Sequence, residues 1–200
     1  MSQRWPGGLI KPTPITPTGP YQDGSASGVW TLDQMEYWLQ QGLWPIAGNA
    51  AQRGLFMGDA IGAVYSNVID YITVSTTGNA IDFGDLTQAR SALGSCASTT
   101  RACAAGGEQT GGSKVGTIDY VTIATTGNTT DFGDLLSATQ QLAATSNNTW
   151  GGFAGGNTGS AINVIQYVTI ASTGNSSDFG DLTQTTLSLD ACSNCHGGLQ

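Results

Sequence analysis

Charge is scarce in this chain. Charged residues fill 10% of its 200 positions, against about a quarter in an ordinary soluble domain. Six are cationic (Arg4, Lys11, Arg53, Arg90, Arg101 and Lys114) and the net charge is -8. Six cations spread along the chain cannot line a track that neutralises phosphates, which argues against a nucleic-acid partner. There is one histidine, His196, and neither lysine stands in a reactive context. No residue pattern suits nucleophilic or acid–base catalysis, so no enzyme activity is expected. Long apolar runs are missing too: no stretch reaches the roughly 18 residues of a membrane span. The opening Met-Ser-Gln-Arg-Trp-Pro-Gly-Gly-Leu-Ile has no apolar core of signal-peptide length. The expectation is a protein kept in the cytosol until assembly, with Cys96, Cys103, Cys192 and Cys195 starting as thiols.

Glycine, at 29 residues, and many serines, threonines and asparagines take the place of charge. Such a surface is solvated by hydroxyls and amides, and it suits compact sheets with tight turns. The dominant pattern is a repeat. Tyr120 to Leu135 reads Tyr-Val-Thr-Ile-Ala-Thr-Thr-Gly-Asn-Thr-Thr-Asp-Phe-Gly-Asp-Leu, and close copies run from Tyr71 to Leu86 and from Tyr167 to Leu182. Aligning Asp82, Asp131 and Asp178 gives spacings of 49 and 47 residues, a period typical of propellers and other arrays of small sheets.

Three segments follow from composition. Residues 1–28 hold five of the six prolines and read as an extended, polyproline-like arm. Residues 29–52 contain one helix signal, Thr31-Leu-Asp-Gln-Met-Glu-Tyr-Trp-Leu-Gln-Gln-Gly42. Thr31 with Gln34 forms a capping box, and Gly42 then Pro45 supply the stop. Leu32, Met35, Trp38 and Leu39 share one face, with Trp30 and Trp44 alongside. A helix this short is marginal alone, so the stripe docks either on the chain's own repeats or on a partner, which makes it the candidate attachment segment. Residues 53–200 are the repeat domain.

Each unit reads as four strands. The first alternates apolar and polar residues, as in Asn67-Val-Ile-Asp-Tyr-Ile-Thr-Val. Thr-Gly-Asn at 77–79, 126–128 and 173–175 reads as the turn to a second strand that enters Asp-Phe-Gly-Asp-Leu. Third strands are expected at 91–98, 142–147 and 187–193, and fourth strands at 101–107 and 150–156. Arg53 to Asp59 matches those fourth strands but precedes the first unit, while the last unit stops short of one. That is the arrangement by which a ring closes with a strand from the other end of the chain.

Several motifs imitate chemistry. Cys192-Ser-Asn-Cys195-His196 matches the haem-attachment pattern, yet the repeat register sets Cys192 opposite Cys96 and Thr145, where small polar residues already stand. A zinc site would need two further ligands, with Cys96 or Cys103 as the only nearby kinds. Asp82-Phe-Gly84 occurs in three copies without the other elements of a kinase. Asp82 and Asp85, Asp131 and Asp134, and Asp178 and Asp181, with Asn79, Asn128 and Asn175, repeat oxygen ligands that could suit calcium. The alternative is that Asp and Asn shape turns and bond backbone amides. No cofactor is expected.

Four short strands in about 48 residues, ending in Gly-Gly, resemble a kelch-type propeller blade. The words Ile118-Asp-Tyr-Val-Thr-Ile-Ala-Thr-Thr-Gly-Asn-Thr-Thr-Asp-Phe-Gly-Asp-Leu135, Ser27-Gly-Val-Trp-Thr-Leu-Asp-Gln34 and Gly42-Leu-Trp-Pro45 resemble kelch-like repeat proteins of marine tailed bacteriophages, of the virion-appendage or tail-fibre type. The resemblance covers most of residues 7–199. It implies a virion structural protein and carries over no binding residue. The expected fold is all-β: three four-stranded units, blade-like or arranged as a β-prism, after an arm and one short helix. Three units fall short of the four to eight of closed propellers. The expected function is an oligomeric fibre, spike or surface decoration on the virion, assembled in the host cytoplasm and anchored by its N-terminal segment. Its partners would be other virion proteins and further copies of itself, a trimer being favoured. Trp150, Phe153, Tyr120 and Tyr167 are candidates for stacking on host-surface glycans. The alternative from another class is a free-standing lectin-like or enzymatic propeller acting on carbohydrate.

Overall fold

The computed structural model describes residues 53–62, 64–74 and 76–193, together with Tyr37, which has helical backbone. The chain divides into two units, Met1–Ala51 and Gln52–Gln200, and the second holds all the described residues but Tyr37. Its described residues form antiparallel sheets, none of them closed. The first sheet has β1 (Arg53–Ile61), β2 (Val64–Thr73) and β3 (Ile81–Asp85) in that order. Next come β4 (Gly94–Ala97), β5 (Arg101–Ala105), the small hairpin β6 (Glu108–Gln109) and β7 (Ser113–Lys114), then β8 (Thr117–Thr122) and β9 (Thr130–Asp134). The second sheet is β4-β5-β8-β9, with β6 and β7 paired apart from it. β10 (Ala143–Ser146), β11 (Trp150–Ala154), β12 (Ile162–Thr169) and β13 (Ser177–Thr186) make the third, again in chain order. Among the described residues no helix is long and apolar enough to cross a membrane.

The sheets pack face to face as successive layers. Alternation along β5 shows this directly, because side chains on a strand point to opposite faces in turn. Ala102 and Ala104 join a core with Ile69, Phe83, Leu86 and Val121, against Leu55 and Met57 of β1. Cys103 and Ala105 join a separate core with Ile118, Phe132, Leu142, Phe153, Val168 and Ile170. The middle sheet therefore buries both faces. Sizes interlock across each joint: the large Leu55 and Met57 meet two alanines, whereas Cys103 and Ala105 leave room for Phe153, which is 0% exposed. Gly151 is small for the same reason, since a Cβ there would strike the Cys96 sulfur.

The strand positions follow the expected ones closely, but the structure cuts the repeat elsewhere. A sheet begins with the third and fourth strands of one unit and ends with the first and second of the next. β1, expected to close a ring against the last unit, is paired with β2 in the first sheet. Among the described residues, 187–193 form no strand. Thr-Gly-Asn is not the hairpin turn. The chain reverses just before it, where Thr76, Thr125 and Ser172 donate to the carbonyls of Thr73, Thr122 and Thr169, and the Gly-Asn then runs on, free to bond a neighbouring layer.

Candidate functional site: the joints between layers and their open faces

Thr126-Gly127-Asn128-Thr129 lies along β3 of the layer before it. The Gly127 amide donates to the Phe83 carbonyl at 2.7 Å, and the Thr129 amide donates to the Asp85 carbonyl at 2.8 Å. In return the Asp85 amide donates to Asn128 Oδ1 at 3.1 Å. One layer on, Gly174 donates to Phe132 at 2.8 Å, Ser176 to Asp134 at 2.8 Å, and the Asp134 amide to Asn175 Oδ1 at 3.0 Å. The glycine of Asp-Phe-Gly is fixed by this approach: a Cβ on Gly84 would run into the Gly127 carbonyl, and one on Gly133 into that of Gly174. Both also hold φ near +147°, at +146° and +147°, where side chains are strained. A second line of bonds runs through Ala92, Gln141 and Ser188: Gln141 donates to Ala92 at 2.8 Å and Ser188 to Gln141 at 3.0 Å.

The two joints solve one polar position differently. In the first, Asp119 and Arg90 are both 0% exposed and paired at 3.0 Å. Asp119 also accepts from the Thr87 hydroxyl at 2.8 Å and the Thr87 amide at 3.2 Å. Arg90 donates further to the carbonyls of Thr117 at 2.7 Å and Ala104 at 3.1 Å. Burial pulls the arginine below its ordinary value, and Asp119 opposes that pull. In the second joint Gln166 replaces Asp119 and Thr139 replaces Arg90 in register. Gln166 Oε1 accepts from the Leu136 amide at 2.8 Å and the Ser176 hydroxyl at 2.7 Å.

Among the described residues, nothing covers the outer faces in this way. Phe83 and Phe132 are 2% and 3% exposed, while their counterpart Phe179 is 62% exposed. Phe179 stacks edge-on to Tyr167, as Phe83 does to Tyr71 and Phe132 to Tyr120. Arg53 and Arg101 lie over Tyr71 and Tyr120 and reach the next layer, donating to Ile123 and to Ile170 and Ala171. The third layer has Trp150 there, against Tyr167 at 5.5 Å between ring centres. Trp150, Gly152, Ile165, Tyr167 and Phe179 line a shallow apolar depression of about 260 Å³. On the first layer, Phe56 is 58% exposed, and Asp70 and Ile72 stand opposite Phe56 and Gly54 on the same outer face.

Other expected residues are placed as follows. Trp30, Leu32, Met35, Trp38, Leu39 and Trp44 lie outside the described residues, as do Cys195 and His196. Cys192 is exposed, and its carbonyl accepts from the Thr145 hydroxyl at 3.2 Å, in line with the register that paired them. Cys96 and Cys103 are free, buried and directly opposite on β4 and β5. Their shared hydrogen bond and burial hold the Cys96 thiol well above its ordinary range. Asp82, Asp131 and Asp178 are exposed. The acids of each copy do not converge: among the described residues no three histidine, cysteine or acidic side chains cluster closely enough to hold a metal ion. Of the aromatics, Phe153 is core and Tyr120 lies beneath Arg101, which leaves Trp150 and Tyr167 on the outer face. A cleft of about 410 Å³ also runs past Arg53, Met57, Cys96, Thr145 and Cys192, where the charged and thiol side chains are Arg53, Cys96 and Cys192.

The Arg90–Asp119 pair escaped the sequence reading, although a signal existed. The two positions change together from one joint to the next, to Thr139 and Gln166, although Asp70 keeps the acid in the first copy. No protein-family profile matches the chain, and no curated protein does.

Proposed function

We propose that this chain is a structural protein of a phage particle: an oligomeric fibre, spike or surface decoration, anchored through residues 1–52 to other virion proteins. The observation that carries the reading is the use made of the repeated polar words. The Gly-Asn and Phe-Gly-Asp segments bond to each other between layers through backbone amides and carbonyls and the asparagine side chains, which is scaffolding rather than a reactive site. The phage resemblance of the sequence adds the setting. The three layers are read as propeller-blade-like units. A prism would give each sheet one face on a shared core, whereas the middle sheet here feeds two separate cores, which favours blades. Deletion of residues 1–52 is expected to abolish incorporation into particles while the repeat domain stays folded. Incorporation of the truncated chain at wild-type level would overturn the reading.

Contact with host-surface glycans is a second reading, favoured only by the exposed Trp150 beside Tyr167. It predicts that Trp150→Ala abolishes binding of the purified protein to host polysaccharide. A free-standing lectin-like protein would show that binding without any place in a particle.

A further inference from the structure

The two outer faces are complementary to each other in the same way that the two internal joints are. The register of the repeat supplies the comparison. Facing upward from the third layer are Gly152 and Ala154, the counterparts of Cys103 and Ala105, with Ile165, Tyr167 and Phe179. Facing downward from the first layer are Gly54 and Phe56, the counterparts of Gly151 and Phe153, with Asp70 and Ile72. In the second joint that downward Gly-x-Phe pattern packs onto the upward small pair, with Phe153 sunk to 0% exposure. Phe56 facing Gly152 and Ala154 repeats the same large-on-small fit.

The backbone ends match as well. Gly78, Asn79 and Ala80 are the counterparts of Gly127, Asn128 and Thr129 and precede β3, and among the described residues no layer lies beneath them to bond. Phe179 and Asp181 are the counterparts of Phe83 and Asp85, and a Cβ on Gly180 would meet nothing within 4 Å, unlike Gly84 and Gly133. Thr183 stands where Thr87 donates to Asp119, so it is the natural donor to an incoming Asp70.

We infer that the third layer of one copy receives the first layer of a second copy, head to tail. The Gly78 and Ala80 amides of one chain donate to the Phe179 and Asp181 carbonyls of the other, and the Asp181 amide donates to Asn79 Oδ1. This joint is heterologous: repeated, it closes a ring or extends a filament according to the rotation between layers. It goes beyond the virion reading, which is decided by incorporation into particles, because it is tested with the purified chain alone. One position is less well matched than inside the chain. Asp70 would face Thr186, the counterpart of Arg90, and so lacks a cation.

The test uses the full chain and sedimentation velocity over a concentration series. Wild type is expected to form species of two or more chains. Gly152→Arg fills one face, and Phe56→Arg charges the other. Gly152 has only Thr145 side-chain and backbone atoms nearby, at 3.6 and 3.8 Å, and Phe56 is largely exposed, so both variants should melt as wild type does when diluted to a single chain. Each alone is expected as a single chain, and an equal mixture as a two-chain species that grows no further. Asp70→Gln, which imitates the neutral Gln166, should lower the concentration needed for assembly at least several-fold. Wild type that stays a single chain up to its solubility limit would overturn the inference, as would assembly untouched by both arginine variants. So would a Gly152→Arg chain that loses polysaccharide binding but assembles normally, since the face would then belong to a sugar.

Discussion

The first joint between layers is built around a buried ion pair, and the second, at the same place in the repeat, around a neutral amide. Arg90 and Asp119 bring two desolvated charges together with three further hydrogen-bond partners. Gln166 and Thr139 fill the same space without charge, Gln166 accepting from the Leu136 amide and the Ser176 hydroxyl. Burying charges is expensive even when they pair well, so an ion pair is no evidence of greater strength. What differs is the penalty for disturbing one partner. Asp119→Ala leaves a buried guanidinium uncompensated and should destabilise the domain by about 3–5 kcal/mol. Gln166→Ala strands an amide and a hydroxyl, for about 1–3 kcal/mol. The double change Arg90→Thr with Asp119→Gln carries the neutral solution into the first joint and should restore most of what Asp119→Ala loses. Urea denaturation of the four proteins decides it, and a double variant as weak as Asp119→Ala would show that the two joints are not equivalent.

A finer comparison uses the asparagines. Asn128 and Asn175 each accept an amide from the preceding layer, so alanine at either should reduce stability by about 1 kcal/mol. Among the described residues no layer precedes Asn79, so Asn79→Ala should leave the melting of a single copy unchanged. A loss at Asn79 equal to the others would break the distinction between internal joints and open faces.

The smallest effect concerns Tyr65, whose hydroxyl donates to Glu108 at 2.7 Å. That bond, with burial and the nearby carboxylate, raises the phenol above its ordinary value of 10.0. The folded state thus holds the proton more tightly than the unfolded one. Its contribution is complete below pH 10 and disappears as pH rises through the folded value. Stability of wild type should therefore fall faster above pH 10 than that of Tyr65→Phe, and parallel profiles would remove the role given to this bond.

Most of the strands and the all-β class were legible in the residues. The strands announced themselves because β-branched alternation recurs in register, and the all-β class followed from it. What hid was anything that depends on a neighbouring layer. Thr-Gly-Asn looked like a hairpin turn because glycine and asparagine favour turns locally, yet Gly127 and Asn128 are used in bonds to residues more than forty positions away. The repeated acids and asparagines could suit oxygen ligation or bonds to backbone amides, and the second is what Asn128 and Asn175 make, while Asp85 and Asp134 contribute main-chain atoms to those same bonds. Arg53 to Asp59 looked like a closing strand, since sequence shows which strands are alike but not which sheet holds them. Only the paired change between joints, from Arg90 with Asp119 to Thr139 with Gln166, carried information across layers.

The central claim is that the repeated Gly-Asn segments join layers, and amide hydrogen exchange reads it most directly. In a dilute, single-copy solution the amides of Gly127, Thr129, Gly174 and Ser176 should be strongly protected, while those of Gly78 and Ala80 exchange freely and gain protection only as copies associate. Equal protection at all three segments in the single copy, or none at Gly127 and Gly174, would contradict the account.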